Sequence, residues 1–298
     1  MNRGDRRERI FQDDEDRKLF WSTLGEACGK TGWQVHALCL MPNHFHLVVE
    51  TPQANLVAGM KWWLGTYTGR FNRRHRQFGH LFSGRYKALI VDGSGGGYLK
   101  TVCEYVHLNP VRAKLLGAGE SLRAYRWSSW PEYLKPFRQR PSWLRVHRLF
   151  GEMRIPRDSV AGRRELERMV EARRRGEEDP AYQGIRRGWF LGEKALKNEL
   201  LAQMKEKMGE EHYGAERAET AEAEAERIVK EELKRRRWEE ADLEGRAKGD
   251  AGKVAMAVRL RGETVMTVKW IAVRLRMGAP GYVNHLLYQR RKADRKGV

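Results

Sequence analysis

Cysteine is scarce in this chain. Cys28, Cys39 and Cys103 are an odd number without Cys-x-x-Cys spacing, which fits buried, reduced thiols better than a disulfide frame or a zinc knuckle. No apolar run approaches the roughly 18 to 20 residues that a membrane span needs. The opening Met-Asn-Arg-Gly-Asp-Arg-Arg-Glu-Arg-Ile lacks the apolar segment of a secretory leader, so a cytoplasmic protein with no membrane partner is expected. Internal repeats are absent, and low complexity is confined to the Ala/Glu-rich Ala218 to Glu226.

Acidic residues are also in short supply. Lys and Arg number 58 against 39 Asp and Glu, a formal charge of +19 on 298 residues. A polyanion binding such a surface gains the entropy of released counterions, whereas a neutral metabolite gains nothing, so nucleic acid leads the list of partners. The excess is uneven. From Lys61 to Ile90 there are seven basic residues and no acid, interleaved with Trp62, Trp63, Tyr67, Phe71 and Tyr86. The last 48 residues carry eleven basic and two acidic side chains. Between Arg217 and Arg246 the two signs alternate at helical spacing, the pattern of a solvated surface helix.

Periodicity gives the order of elements. Asp13 to Lys30 reads as a helix with acids at its start and Gly32 beyond its end. Trp33 to Met41 and Phe45 to Glu50, broken by Pro42-Asn43, read as a β-hairpin. Ala54 to Arg74 is a second helix, with Leu56, Met60, Trp63, Tyr67 and Phe71 three or four apart. Arg85 to Val91 is a further strand candidate. Asp92, Ser94 and three glycines lead into a third helix ending near Asn109-Pro110. Helix, strand, strand, helix, strand, helix is a split β-α-β order, in which antiparallel strands carry helices on one face. Short helices at Trp127 to Leu134 and Trp143 to Phe150 would close a domain over residues 1–150. A helical connecting region, 151–215, follows. Leu196, Leu200, Met204 and Met208 there form an i,i+4 stripe expected to pack in a core.

Two groups of residues invite chemistry. In His44-Phe45-His46 a strand sends both imidazoles to one side and Phe45 to the other, and two such imidazoles can share a divalent metal, although His-x-His also occurs as ordinary half-buried structure. On the third helix Tyr98, Val102, Tyr105 and Asn109 fall on one stripe, so a phenol and an amide one turn apart can face one point. Alternatively Tyr105 is an amphipathic core residue and Asn109 a helix cap before Pro110.

The strings Met41-Pro-Asn-His-Phe-His-Leu-Val-Val-Glu-Thr-Pro52, Phe71-Asn-Arg-Arg-His75, Gly79-His-Leu-Phe-Ser-Gly-Arg-Tyr-Lys-Ala88 and Tyr105-Val-His-Leu-Asn-Pro-Val-Arg-Ala113 resemble the single-tyrosine HUH transposases, within the IS200-like family, and specifically their REP-associated tyrosine transposase branch. Gly188-Trp-Phe-Leu-Gly192 resembles longer members of that branch. The resemblance implies an α+β, ferredoxin-like antiparallel sheet with helices on one face, and a DNA strand transferase working through a phosphotyrosine intermediate. It implies that His44 and His46 hold the metal, that Tyr105 is the nucleophile, and that Asn109 stands where related enzymes place a third, polar ligand.

Phosphodiester cleavage needs an in-line nucleophile and relief of charge on the phosphate oxygens, which Mg2+ or Mn2+ held by two neutral imidazoles and an amide would supply. The expected substrate is single-stranded or hairpin DNA, such as a palindromic repeat, whose unstacked bases can lie on aromatic side chains. Arg70, Arg73, Arg74, Arg76, Arg85 and Lys87 are candidate phosphate contacts. Trp62 and Trp63 could stack on bases, but they fall within the apolar periodicity of their helix, which favours the core.

The region 216–298 is read as helical. Thr267 can cap a helix with Val268, Ile271, Ala272 and Leu275 facing inward, Gly278 can turn the chain, and Pro280 can open a helix holding Val283, Leu286 and Leu287. This resembles a helix-turn-helix, in which Tyr282, Asn284, His285 and Gln289 would face base edges and Arg290 and Arg291 phosphates. Helix pairs with a glycine turn also occur without DNA binding.

Relatives of this branch carry a further strand before the string seen here at Asn2 to Arg7. In ferredoxin-like order that strand is central, between the histidine strand and Arg85 to Val91, and its loss would leave a gap of roughly 10 Å. The rival readings are a DNA-binding regulator that keeps the basic surfaces without chemistry, and a metal-dependent hydrolase that uses water in place of Tyr105.

Overall fold

A computed structural model describes residues 1–117, 119–175, 182, 184–185, 188–206 and 215–294. The chain divides into two compact units, one made of Met1–Cys28, Trp33–Glu50 and Leu64–His212, the other of Gly29–Gly32, Thr51–Trp63 and Tyr213–Val298. No helix among the described residues is long and apolar enough to cross a membrane.

In chain order the elements are β1 (Asn2–Arg3), α1 (Asp14–Thr31), β2 (Gln34–Met41), β3 (His44–Glu50), α2 (Leu56–His75), β4 (Ile90–Val91), α3 (Tyr98–His107), α4 (Asn109–Arg112), α5 (Trp130–Tyr133), α6 (His147–Glu152), α7 (Val160–Ala172), β5 (Phe190–Leu191) and α8 (Lys194–Glu206). They continue as α9 (Ala215–Arg236), α10 (Asp242–Gly245), α11 (Ala251–Glu263), α12 (Val268–Arg274) and α13 (Pro280–Asp294). The architecture is α+β with a small antiparallel sheet, in the order β1-β3-β2.

The hairpin forms as its pattern predicts, closed by Pro42-Asn43, with Cys39 opposite His46 and Met41 opposite His44. Seven consecutive residues of β2, from Val35 to Met41, are buried, so the strand must be covered on both faces. This corrects the expectation of helices on one face. Phe45 packs against Phe20 of α1, 5.1 Å between ring centroids, and Phe20 in turn meets Tyr67 of α2 at 4.8 Å. The opposite face, where His44 and His46 lie, is covered by α3.

The expected gap beside the histidine strand is also corrected. Met1 to Gly4 occupy that place: Asn2 pairs with Phe45 and Arg3 with His44 on one side. On the other, Ser83 N donates to Arg3 O (2.9 Å), Asp5 N to Leu81 O (3.0 Å) and Lys87 N to Met1 O (2.8 Å). The segment Arg85 to Val91 is accordingly not one strand. Only Ile90 and Val91 pair as β4, and their partner is the parallel Phe190–Leu191. Gly188-Trp-Phe-Leu-Gly192 is thereby joined to the first unit, and Asp92 Oδ2 accepts from Glu193 N (3.2 Å).

Gly4 has a specific reason to be glycine. A Cβ there would overlap the Glu8 carbonyl oxygen and lie 2.9 Å from Ile10 Cγ2. Gly4→Ala is expected to lower stability by about 1–3 kcal/mol, the usual cost of overpacking, read as a drop in the urea midpoint. An unchanged midpoint would show that the N-terminal strand carries no stability.

Two expected helices are shorter than their patterns. Trp127 to Ser129 and Trp143 to Arg145 run along the outer edge of β2, with Leu40 N donating to Trp127 O (2.8 Å), Ser129 N to Leu38 O (2.7 Å) and Val35 N to Trp143 O (3.0 Å). An edge strand left open would expose unpaired backbone groups, so edge cover outweighs local helix preference. Leu196 and Leu200 on α8 are half-buried and not in a core. The Met204 side chain and Met208 lie outside the described residues.

All three cysteines are buried and free, and burial pushes the Cys28 thiol up to about 12. Trp63 is fully buried and Trp62 nearly so, as their helical periodicity predicts.

The second unit is helical around Ile228, Val229, Met256, Leu260, Ile271, Leu275, Val283 and Leu287. The face of α9 bearing Ala225, Ile228, Val229 and Leu233 is buried, so this charge-alternating helix is solvated on one side only. Thr267 caps α12 by accepting from Trp270 N, and Gly278, at φ +82°, turns the chain into α13. Lys253 is fully buried on α11. Its ammonium donates to the carbonyls of Leu243 (2.7 Å) and Arg246 (2.9 Å), satisfying a helix end that has no intrahelical partner.

Candidate active site

His44 and His46 leave β3 on the face that α3 covers, with ring centroids 5.1 Å apart. Tyr105, in the last turns of α3, sets its ring 6.0 Å from that of His46 at 76°. The structure thus brings together the imidazole pair and the phenol, which are far apart in sequence.

Burial, reinforced by the positive charge of Arg3, holds His44 down to about 4. His46 is held well below the usual imidazole range by burial first, then by His44 and by the cations Arg112 and Arg3. Both rings are neutral near pH 7 and offer lone pairs.

The tautomer of His44 follows from its neighbour. Asn43 Nδ2 donates to the Arg7 carbonyl (3.0 Å), which fixes the amide so that its Oδ1 faces His44 Nδ1 at 2.7 Å. An amide oxygen only accepts, so Nδ1 carries the hydrogen and Nε2 bears the free lone pair. A ring nitrogen held this way is the arrangement that orients metal-binding histidines.

Asn109 and Tyr105 do not share one uninterrupted helix. α3 ends at His107, Leu108 forms the junction, and Asn109 opens α4. Its side chain is buried, and Nδ2 has no hydrogen-bond partner. Among the described residues no group of three or more His, Cys, Asp or Glu is placed to hold a metal ion. A cation here would therefore rest on the two imidazoles, with the amide of Asn109 and open positions for water and phosphate. Such a sparse, neutral set suits a Lewis acid that keeps its charge for the phosphate. The fixed Nε2 of His44 fits that role, whereas Asn109 would have to serve through its amide oxygen, since an NH2 group does not ligate a cation.

Three further residues stand at the site without having been singled out from the sequence. Arg112 places its guanidinium 4.0 Å from the Tyr105 ring centre and donates to the Tyr105 carbonyl. Its position seven residues after Tyr105, two helical turns on, was the available clue. Tyr182, nearly fully buried, meets the Tyr105 ring edge-on at 5.4 Å. Nothing in its local sequence marks it. Arg3 reaches the site through the pairing of β1 with β3. His107 is in the same motif as Tyr105 but is buried away from the histidine pair, with Nε2 2.9 Å from Ser129 Oγ.

The candidate phosphate contacts separate into two groups. Arg70 is occupied by Glu26 (2.6 Å) and Thr23 (2.7 Å), and Arg74 by Asp13 (2.7 Å) and Asp16 (2.6 Å), so both tie α2 to α1. They do not present free cations. Arg73, Arg76, Arg85 and Lys87 are exposed. In the second unit Tyr282, Asn284, His285, Gln289, Arg290 and Arg291 are exposed on α13, while Val283 and Leu287 face the core. Gln289 Nε2 donates to His285 Nε2 at 2.8 Å.

Comparison with curated proteins and with solved structures gave no match. Residues 1–109, which take in the sheet, the histidine pair and Tyr105, match the family model described as transposase, IS200-like, and this supports that family and a transposase-type, DNA-processing function.

Proposed function

We propose that the protein is a single-tyrosine DNA strand transferase of the REP-associated branch. It would cleave and rejoin single-stranded or hairpin DNA in the cytoplasm through a phosphotyrosine intermediate. The observation that carries the proposal is the approach of the His46 and Tyr105 rings to 6.0 Å, beside His44.

His44 and His46, with Asn109, would hold Mg2+ or Mn2+, which supplies Lewis-acid stabilisation of charge on the phosphate when bound. Tyr105 Oη attacks the phosphorus, the new O–P bond replaces the bond to one deoxyribose oxygen, and the phenolic proton ends on the released hydroxyl. The ester on Tyr105 conserves the energy of the broken bond, so a later attack by a DNA hydroxyl reseals the strand and returns the phenol. Arg112 holds the Tyr105 ring and its backbone, fixing the direction from which the phenol approaches the phosphate. Arg73, Arg76, Arg85 and Lys87 bind backbone phosphates. The exposed face of α13, with Tyr282, Asn284, His285, Gln289, Arg290 and Arg291, supplies a second, helix-turn-helix contact to duplex DNA.

Incubating the protein with a labelled hairpin carrying a single-stranded flank and Mn2+ is expected to give a covalent protein–DNA adduct that survives denaturing electrophoresis. Tyr105→Phe abolishes it while leaving DNA binding intact. Cleavage by Tyr105→Phe without an adduct would establish hydrolysis by water, and salt-sensitive binding with no cleavage by wild type would establish a regulator.

A further inference from the structure

Phe78 is 99% exposed, and among the described residues no large apolar side chain is more so. Single exposed aromatics are common on protein surfaces and carry nothing alone. Here three other observations surround it.

The loop that bears Phe78 is pinned. α2 ends at His75, Arg76 takes a left-handed conformation at φ +54°, and Gly79 does so at φ +95°. Gln77 N donates to Asn72 O (2.9 Å) and Asn72 Nδ2 donates back to Gly79 O (3.0 Å), closing the loop on the last turns of α2. The phenyl ring is therefore held out on a fixed frame and pays little entropy on meeting a flat partner.

The surroundings are cationic. Arg73, Arg76 and His80 are exposed within five residues of Phe78 along the chain, Arg85 and Lys87 are exposed in the segment that follows, and no acid occurs between Lys61 and Ile90. The carboxylates nearest this end of α2, Asp13 and Asp16 at the start of α1, are taken up by Arg74 and His75.

The loop is also connected to the site. It runs directly into Leu81 to Lys87, which bond to Met1 through Asp5, and Arg3 in that stretch pairs with His44. Two hydrogen-bonded steps separate the segment bearing Arg85 from the histidine strand.

A planar, exposed ring among phosphate-binding cations matches the repeat of single-stranded nucleic acid, in which each π-face has a phosphate on either side. We infer that Phe78 is a stacking post for an unpaired nucleobase, with Arg73, Arg76, Arg85 and Lys87 holding the phosphates beside it. The inference deepens the DNA-processing reading and rests on it. It assigns the selection of unpaired over paired DNA to this loop, because a stacked base pair offers the ring no free face.

The test uses the full-length chain, a fluorescent 20-nucleotide single strand, the same strand with abasic sites, and a blunt duplex, with anisotropy titrations over a series of salt concentrations. Phe78→Ala is expected to weaken binding to the single strand by about 5- to 100-fold, the range for loss of one base–aromatic stack. Its salt dependence stays that of wild type, because no phosphate contact is lost. Phe78→Trp restores affinity, and Phe78→Leu does not. Wild type loses affinity for the strand whose bases have been removed, whereas Phe78→Ala does not lose further. Arg76→Ala instead lowers the salt slope by about 0.7, one phosphate on a single strand.

Equal affinity of Phe78→Ala and wild type, or full rescue by leucine, overturns the inference and leaves the transferase reading standing. Phe78-dependent binding without any adduct at Tyr105 overturns the catalytic reading alone. A wild-type protein that binds none of the three DNAs overturns both. Because the side chain makes no core contact, each variant is expected to unfold at the wild-type urea midpoint.

Discussion

His46→Ala is expected to lower the single-turnover rate of adduct formation by about 10²- to 10³-fold, the usual effect of removing one element of transition-state charge stabilisation. Calorimetric titration with Mn2+ should lose its heat in the same variant, and His44→Ala should behave alike. The reasoning is geometric. The two rings lie 5.1 Å apart on one face of β3, both are kept neutral by burial and by neighbouring cations, and no third His, Cys, Asp or Glu among the described residues can compensate for a missing one.

Asn43→Ala sharpens the test. Asn43 holds His44 in the tautomer whose Nε2 is free, so its loss should weaken Mn2+ binding by about 10- to 100-fold, as for other residues that orient metal-binding histidines. DNA affinity without metal should not change. Wild-type Mn2+ affinity in His44→Ala would remove the imidazole pair from the mechanism.

Arg112→Ala is the second large effect, about 10²-fold on adduct formation. The guanidinium sits 4.0 Å from the Tyr105 ring centre, also approaches Tyr182 at 5.4 Å, and donates to the Tyr105 carbonyl, so it fixes the nucleophile through both its ring and its backbone. Arg112→Lys keeps the charge but loses the planar fork, and should recover only part of the rate. A rate within threefold of wild type would refute that positioning role.

Much of the site was legible in the sequence because its chemistry follows short periods. Alternation in His44-Phe45-His46 sends the imidazoles one way and Phe45 the other, which the packing of Phe45 on Phe20 reproduces. The helical pattern of Trp63, Tyr67 and Phe71 placed those rings in the core, and Thr267, Gly278 and Pro280 marked the ends of two helices through local capping and turn chemistry. Continuity failed at Leu108, where the helix of Tyr105 ends and Asn109 opens a separate short helix. Local spacing does not foresee such a junction.

Charge was the least reliable guide. Arg70 and Arg74 look like phosphate ligands in an acid-free stretch, yet their partners Glu26, Asp13 and Asp16 lie on α1, more than forty residues earlier. Composition counts charges without saying which are already paired.

The sequence by itself determined the hairpin, its histidine pair, the helix bearing Tyr105 and the basic character of the surface, since each depends on contacts between near neighbours. The tertiary structure alone decided that helices cover both faces of the sheet, that Met1 to Gly4 fill the place beside His44, and that Arg112 and Tyr182 stand against Tyr105. Those outcomes depend on which distant segment completes a buried face or an open strand edge, and the free energy of closing them belongs to the folded chain as a whole.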